Sequence, residues 1–287
     1  MVGGLLNKKI AFIIQARMQS TRLPGKILMP LPLGTGKPLL LWIIDELKKS
    51  KFNSKIIVAT SVNKENDILE SFCNSNAIEC FRGNENNVLS RFTAIAKQEE
   101  FDCIVRLTAD NPILDINILE IVISHHLESN NDYTSTSGMP IGMNSEVISP
   151  NVILDVENHN ISDADREHVT LFVRNSGKYK TKVYNLELKS ELKSLRLTVD
   201  YASDYTLLAL ILTLSTSNGL SGLPLVEDTY VKYPWLFEAN QNNFQKGNYT
   251  SLADEVENLK PILGLLGFEK ALNLLTSETL KKKDERV

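Results

Sequence analysis

Four short apolar runs rich in β-branched and aromatic residues recur through the first half of the chain: Lys9–Ile14, Ser54–Thr60, Ala77–Phe81 and Asp102–Leu107. None shows the polar alternation of a half-exposed strand, so each reads as a strand buried on both faces. Between them the apolar positions fall at helical spacing. Pro38 stands where a helix start tolerates a missing N–H, and Leu39, Leu40, Ile43, Ile44 and Leu47 follow on one face. Glu65–Asn74, Val88–Lys97 and Ile116–Leu127 give three more helices. Strand alternating with helix predicts an α/β fold, a mostly parallel sheet with helices on both faces. Ligands of such sheets bind beyond the carboxyl ends of the strands. The loops Gln15–Lys26, Arg82–Asn87 and Thr108–Pro112 all lead to that edge.

The pattern changes after residue 132. Tyr133–Ser149 is rich in Ser, Thr and Gly and ends in the strand-like Glu146–Ile148; Asp163–Asn175 reads as helix and Tyr179–Leu186 alternates like an exposed strand. Tyr133–Ser194 is therefore expected to form an inserted β-rich lobe. Leu195–Val199 reads as a return to the sheet, and Ser203–Leu214 as a helix with Ser203 or Asp204 near its cap. The expected division is a main domain over 1–240 and a helical tail over 241–287. The tail opens with an Asn/Gln-rich stretch, continues in helices Leu252–Leu266 and Glu269–Leu275, and closes on a basic run expected to be a solvated end.

Composition narrows the classes of function. The 287 residues carry 31 Lys+Arg against 35 Asp+Glu, a formal charge of −4, with 43% hydrophobic residues. This is the make-up of an ordinary globular protein. An acidic balance disfavours non-specific binding to nucleic acid, so any polyanion must be met by a local cationic cluster. The three cysteines, Cys73, Cys80 and Cys103, lie apart in apolar runs, which predicts buried thiols in a reducing compartment. No apolar stretch has the length of a membrane span or the form of a signal peptide, and a cytoplasmic location without membrane partners is expected. His125 and His126 near a helix end, and Trp42 and Trp235, read as structural.

The local cationic cluster follows the first strand. Gln15 to Lys26 contains three cations (Arg17, Arg22, Lys26), two hydroxyls (Ser20, Thr21) and a Pro-Gly turn. Backbone N–H groups, hydroxyls and cations of such a loop suit a triphosphate, and a solvated basic loop would show the same spacing. Gly34-Thr35-Gly36-Lys37 is not a P-loop: it lacks the upstream glycine, and Pro38 stands where a hydroxyl residue should follow the lysine.

Ile13 to Lys26, IIQARMQSTRLPGK, resembles the N-terminal signature of cytidylyltransferases of the spore-coat polysaccharide biosynthesis type, relatives of the enzymes that make CMP-activated acidic sugars such as CMP-Kdo and CMP-neuraminate. Four later segments are similar to that family, extending the resemblance over about Lys9 to Tyr205: Phe81–Arg91, Arg106–Asp115, Arg166–Thr170 and Leu197–Asp204. The resemblance implies a nucleotide-diphospho-sugar transferase fold, Rossmann-like, with CTP as substrate and Mg²⁺ as cofactor. It implies Arg17, Arg22 and Lys26 as phosphate ligands, and Gln15, Ala16, Ser20, Thr21, Arg82, Gly83, Asn87, Arg91 and Thr108 at the nucleotide. Asp110 and Asp200 are implied as the metal pair, and Asn144, Glu146, Arg166 and His168 as contacts of a small sugar acceptor. With Arg17 and Lys26, the two aspartates make up the expected catalytic set.

The chain departs from the family's pattern where Asn87 and Ser90 replace aspartates, Asn111 replaces cysteine, Ala109 replaces glycine and Asn144 stands where aspartate is frequent. These changes leave Asp110 and Asp200 in place and alter the polar lining.

Chemistry agrees with the metal assignment. Mg²⁺ takes oxygen ligands and keeps waters, so one or two aspartates at strand ends suffice. Helix capping is the other reading of both, since Pro112 and Ser203 announce helices soon after; neither aspartate is expected to belong to the core. His168 reads equally as an acceptor or subunit contact and as a structural histidine, and Glu146 as an acceptor ligand or a cap of the lobe. The expected function is transfer of CMP from CTP to an acidic sugar, with release of pyrophosphate, for surface-polysaccharide assembly. The alternatives are a phosphorylated or phosphonate acceptor giving a CDP-type product, and a nucleotide-binding relative without catalysis. The exposed strand Tyr179–Leu186 predicts a homodimer through the lobe.

Overall fold

The computed structural model describes residues 2–243 and 252–284. The chain divides into two compact units, Met1–Asn242 and Asn243–Val287. In the second, helices Leu252–Leu265 and Glu269–Asp284 are joined by a turn in which the Phe268 amide donates to the Leu263 carbonyl at 2.8 Å. Most of the Asn/Gln-rich stretch, 244–251, lies outside the described residues.

The first unit is built on one seven-stranded sheet. Its strands are β1 (Lys9–Gln15), β2 (Asn53–Ser61), β3 (Glu79–Gly83), β4 (Cys103–Thr108), β5 (Tyr133–Ser137), β6 (Glu146–Ile148) and β7 (Thr181–Asn185), in the spatial order β3-β2-β1-β4-β6-β5-β7. β1 to β4 are parallel, and β6 runs antiparallel to both β4 and β5. β1 is apolar throughout because both of its faces are covered. Ile10, Phe12 and Ile14 join the core under helices Leu39–Leu47, Ile116–Glu128, Ala202–Asn218 and Gly222–Lys232. Ala11 and Ile13 join the opposite core, with helices Val88–Gln98 and Pro150–Val156.

The segment expected to form a separate lobe supplies β5, β6 and β7 to this same sheet. Three-residue β6 bridges β4 to β5 and lets the sheet continue across it. Leu195–Val199, read as a strand, is extended and buried but outside the ladder. Its neighbours are loops, so it makes one bridge, Ile141 to Arg196, and its Val199 amide donates to the Asp110 carbonyl at 2.8 Å. The helix expected over Asp163–Asn175 is broken in two, Asp163–His168 and Leu171–Asn175, by Val169 at φ +57°. A β-branched residue seldom takes that conformation. Val169 is held there by full burial against Val152, Ile153 and Val173.

Cys73 and Cys103 are buried and Cys80 half-buried, all as free thiols. Among the described residues no single helix is long and apolar enough to cross a membrane. Ala202–Asn218 and Gly222–Lys232 meet that test only as a pair bent by 105°.

Candidate active site

Sheet order reverses between β1 and β4, the crevice where open α/β sheets bind ligands. Gln15 and Thr108 face each other at the ends of these strands. The loop after β1 then turns back on itself: the Gly25 amide donates to the Met18 carbonyl at 2.9 Å, and Gly25 adopts φ +73°, which costs a glycine least. Buried Asn66 fixes the loop from below, accepting from the Met18 amide at 2.9 Å and donating to Ser61 Oγ at 2.7 Å. The outcome is to aim Lys26 inward.

Lys26 Nζ lies 3.0 Å from Asp110 Oδ2, 2.9 Å from Asp200 Oδ1 and 2.6 Å from the Val199 carbonyl. Arg22 reaches Asp200 Oδ2 at 3.1 Å and stacks over the Tyr201 ring at 4.7 Å. Buried Arg196 donates to Asp200 Oδ2 at 2.8 Å and to Asp204 Oδ1 at 3.0 Å. Asn240 closes the network, donating to the Arg196 carbonyl at 3.0 Å and to Asp204 Oδ1 at 2.8 Å. Burial works to raise the Asp200 carboxyl, but Lys26, Arg22 and Arg196 outweigh it and hold it below the ordinary aspartate range.

Neither Asp110 nor Asp200 caps a helix. Asp115 caps Ile116–Glu128, accepting from the Ile118 amide at 3.0 Å. Asp204 accepts from the Asp200 and Tyr201 amides, each at 2.9 Å, at the start of Ala202–Asn218. Both candidate metal ligands therefore keep their carboxylates for the crevice, where Thr108 Oγ1 donates to Asp110 Oδ1 at 2.7 Å. Among the described residues no group of three or more His, Cys, Asp or Glu side chains is assembled for a metal.

The other expected nucleotide contacts divide. Arg17, Thr21 and Arg22 lie on the open side of the loop, and Arg17 is 3.6 Å from Glu85. Ser20 Oγ accepts from the Leu23 amide at 3.4 Å, Ala16 is buried with its amide on the Ala59 carbonyl at 3.1 Å, and Gln15 accepts from Arg106 at 3.2 Å. Arg82 is committed to Glu70 at 2.7 Å and Asp67 at 2.8 Å. Arg91 is buried and binds backbone carbonyls of Asn84 at 2.8 Å and Glu85 at 2.9 Å, which shapes the loop after β3. Gly83 lies against it: an added Cβ would meet Arg91 Cγ at 2.8 Å. Asn87 caps Val88–Gln98 through the Ser90 amide at 3.0 Å.

Beside Asp110 opens a cavity of about 550 Å³. Arg106, Thr108, Asn111, Tyr133, Asn144, Glu146 and Arg174 are among its lining residues, with a run of hydroxyls at Ser135–Ser137. Glu146 pairs with Arg106 across the β4–β6 ladder and accepts from Tyr133 Oη at 2.6 Å and Thr170 Oγ1 at 2.8 Å. Burial favours its neutral form, but the Arg106 charge and these hydrogen bonds prevail, keeping it ionised below the ordinary glutamate range. Of the expected acceptor contacts, Asn144 and Glu146 line this cavity; Arg166 and His168, on helix Asp163–His168, do not.

Sequence reasoning overlooked Arg196, Thr170, Arg174 and Asn240. Arg196 had a signal, a single charge within an apolar run, which inside a protein demands a carboxylate partner. Asn240 had none, because its partners lie 44 and 36 residues away.

A family model described as "Cytidylyltransferase" matches residues 11–207. The spore coat polysaccharide biosynthesis protein SpsF of Bacillus subtilis is 37% identical over 202 residues, 68% of this chain and 83% of that one. A 3-deoxy-manno-octulosonate cytidylyltransferase of Francisella tularensis subsp. novicida is 27% identical, with 64% and 78% covered. Among solved structures, a cytidylyltransferase of Leptospira borgpetersenii superposes with a TM-score of 0.73 at 30% identity, covering 84% of this chain and all of that one. The matched span holds most of β1, all of β2 to β7, the loop that carries Lys26, and both aspartates that meet it, and on that ground the chain belongs to the cytidylyltransferase family.

Proposed function

We propose that this enzyme transfers CMP from CTP to an acidic sugar with release of pyrophosphate, in a Mg²⁺-dependent reaction, for surface-polysaccharide assembly. The observation that carries the reading is the meeting of Asp110 and Asp200 on one point, marked by Lys26 Nζ at 3.0 and 2.9 Å, at the switch point of the sheet. Two carboxylate oxygens that close together form the hard-donor pair that suits a magnesium ion shared with substrate phosphates. Asp110 and Asp200 would hold that ion, which when bound neutralises phosphate charge and lowers the barrier to in-line displacement.

The chain's own part is positioning and charge. Arg17 and Arg22 on the open side of the loop provide two cations for the triphosphate, while Lys26, expected among the phosphate ligands, has its three N–H groups taken by Asp110, Asp200 and the Val199 carbonyl and sets the two carboxylates instead. Charge-assisted bonds of this kind contribute about 1.5–3 kcal/mol each. An acceptor hydroxyl in the adjoining cavity lies beside Thr108 and Asn111, close to Asp110, so bond formation at the α-phosphate becomes a proximity effect. We further propose that the main domain spans 1–240, with 241–287 as a helical tail, and that the protein works in the cytoplasm as a homodimer. β7 is the outer strand of the sheet and exposes Val183 there, which supports the pairing.

The test is pyrophosphate release from CTP, ATP, GTP and UTP with a panel of acidic, phosphorylated and neutral sugars, with products identified by mass. A CMP ester of an acidic sugar is expected. A CDP-type product would replace the proposed acceptor, and CTP binding without turnover on any sugar would remove the catalytic reading.

A further inference from the structure

Two guanidinium groups and one carboxylate line the cavity beside Asp110: Arg106, Arg174 and Glu146. Arg106 is already compensated. It pairs with Glu146 and donates to Gln15 Oε1 at 3.2 Å. Arg174 differs. Its side chain is exposed, and among the described residues it forms no ion pair or side-chain hydrogen bond. The cavity therefore carries one net positive charge, located at Arg174.

The backbone holds Arg174 in that place. Val169, strained at φ +57° and ψ −56°, makes a tight turn in which the Thr170 amide donates to the His168 carbonyl at 2.5 Å. Thr170 Oγ1 is thereby set 2.8 Å from Glu146, which lines the cavity, and the helix Leu171–Asn175 that follows carries Arg174 to the cavity lining. Val173, fully buried next to Arg174, anchors that helix in the core. Strain of about 1–3 kcal/mol persists only where the surroundings impose it.

We propose that Arg174 sets acceptor specificity by receiving an oxyanion of the acceptor, a carboxylate or a phosphate, and so selects acidic over neutral sugars. The inference rests on the cytidylyl-transfer reading. A guanidinium presents two parallel N–H donors to either oxyanion, and a carboxylate or phosphate is drawn to Arg174 and not to Arg106, which Glu146 already satisfies. The hydroxyls at Ser135, Thr136 and Ser137 and the Asn144 amide are neutral partners suited to sugar hydroxyls. Thr108, which lines the same cavity, donates to Asp110, so a molecule anchored at Arg174 and filling the cavity reaches the neighbour of the proposed metal ligand. The volume of about 550 Å³ lies within the usual range for small-molecule sites, about 300–1,000 Å³.

Isothermal titration of wild type, Arg174→Gln and Arg174→Lys with 3-deoxy-manno-octulosonate, glucose 1-phosphate and glucose tests this, alongside pyrophosphate release from CTP with each sugar. Wild type is expected to bind at least one of the two acids and to bind glucose at least tenfold more weakly. Arg174→Gln should weaken binding of that acid by about 10- to 150-fold. Arg174→Lys should restore part of the loss, and the Kd for CTP measured without acceptor should stay within about twofold, which shows that the fold is intact. Which acid binds distinguishes carboxylate from phosphate. Equal affinity of Arg174→Gln and wild type for the acid would overturn the proposal, as would binding of glucose as tight as that of the acids, or binding of neither acid. Failure of every sugar to release pyrophosphate with wild type would sink the transfer reading separately, because the binding comparison still decides the role of Arg174.

Discussion

Lys26 and Asp200, 174 residues apart in sequence, form a 2.9 Å ion pair within the crevice, and the same ammonium holds Asp110 at 3.0 Å. One cation thus keeps together two carboxylates that would otherwise repel. Lys26→Met should lower stability by about 2–4 kcal/mol, measured by denaturant unfolding, because the buried Asp200 and the half-buried Asp110 lose their shared partner. The same variant should bind Mn²⁺ more tightly than wild type in the absence of nucleotide, since the ammonium competes for the same oxygens; electron paramagnetic resonance titration reads this directly.

Arg17 gives the contrasting case. Its side chain is 56% exposed and 3.6 Å from Glu85, so Arg17→Ala should leave the melting temperature within about 1 °C. CTP binding should fall tenfold or more, with CMP affinity changed far less, because the loop is expected to meet phosphates that CMP lacks. Equal losses for the two nucleotides would show that Arg17 does not reach the outer phosphates.

Asp110→Asn and Asp200→Asn should each reduce pyrophosphate release by at least about 100-fold, and the double variant should be scarcely worse than either single, as for residues that act as a unit. Their stabilities should differ. Asp200 neutralises Lys26, Arg22 and Arg196 together, whereas Asp110 meets Lys26 alone among the cations. Asp200→Asn should therefore be the less stable variant, by about 1–3 kcal/mol in chemical denaturation.

Buried His126 predicts a pH dependence. Burial pushes its imidazole down to about 4, and the ring is held between Thr134 Oγ1 at 3.0 Å and Ser149 Oγ at 3.2 Å. An unfolded histidine protonates near 6.5, so between about 6.5 and 4 the unfolded chain binds the extra proton and stability falls as the pH is lowered. The loss over that window is about 3 kcal/mol, and it should be smaller in His126→Gln when unfolding is followed at pH 7.5 and 5.

Much of this was legible beforehand because buried parallel strands announce themselves by unbroken apolar runs. Lys9–Ile14 and Asp102–Leu107 carried enough information to place Lys26 and Asp110 at one sheet edge. The sequence could not show that β5, β6 and β7 share that sheet, since β6 is only three residues long and its pairing is set by distant partners. Nor could it show Asp200 as part of the buried framework, because Arg196 and Asn240 reach it through tertiary contacts. Asn87, placed at the nucleotide by resemblance, is accounted for by a local capping bond. Resemblance placed Arg166 and His168 at the acceptor, yet the turn at Val169 sets the plainer, buried Thr170 on Glu146 and brings the later Arg174 to the cavity instead.

The small amide of Asn240 also bears on how the family's module is bounded. The family model ends at residue 207, but the fully buried Asp204 carboxylate beneath Asp200 also accepts from Asn240, 36 residues further along. A protein trimmed at residue 207 would retain Lys26, Asp110 and Asp200 and yet lose a bond that braces Asp204 beneath them. The segment that the family model recognises is therefore shorter than the unit that holds the site together, and comparisons confined to that segment will miss one of its braces.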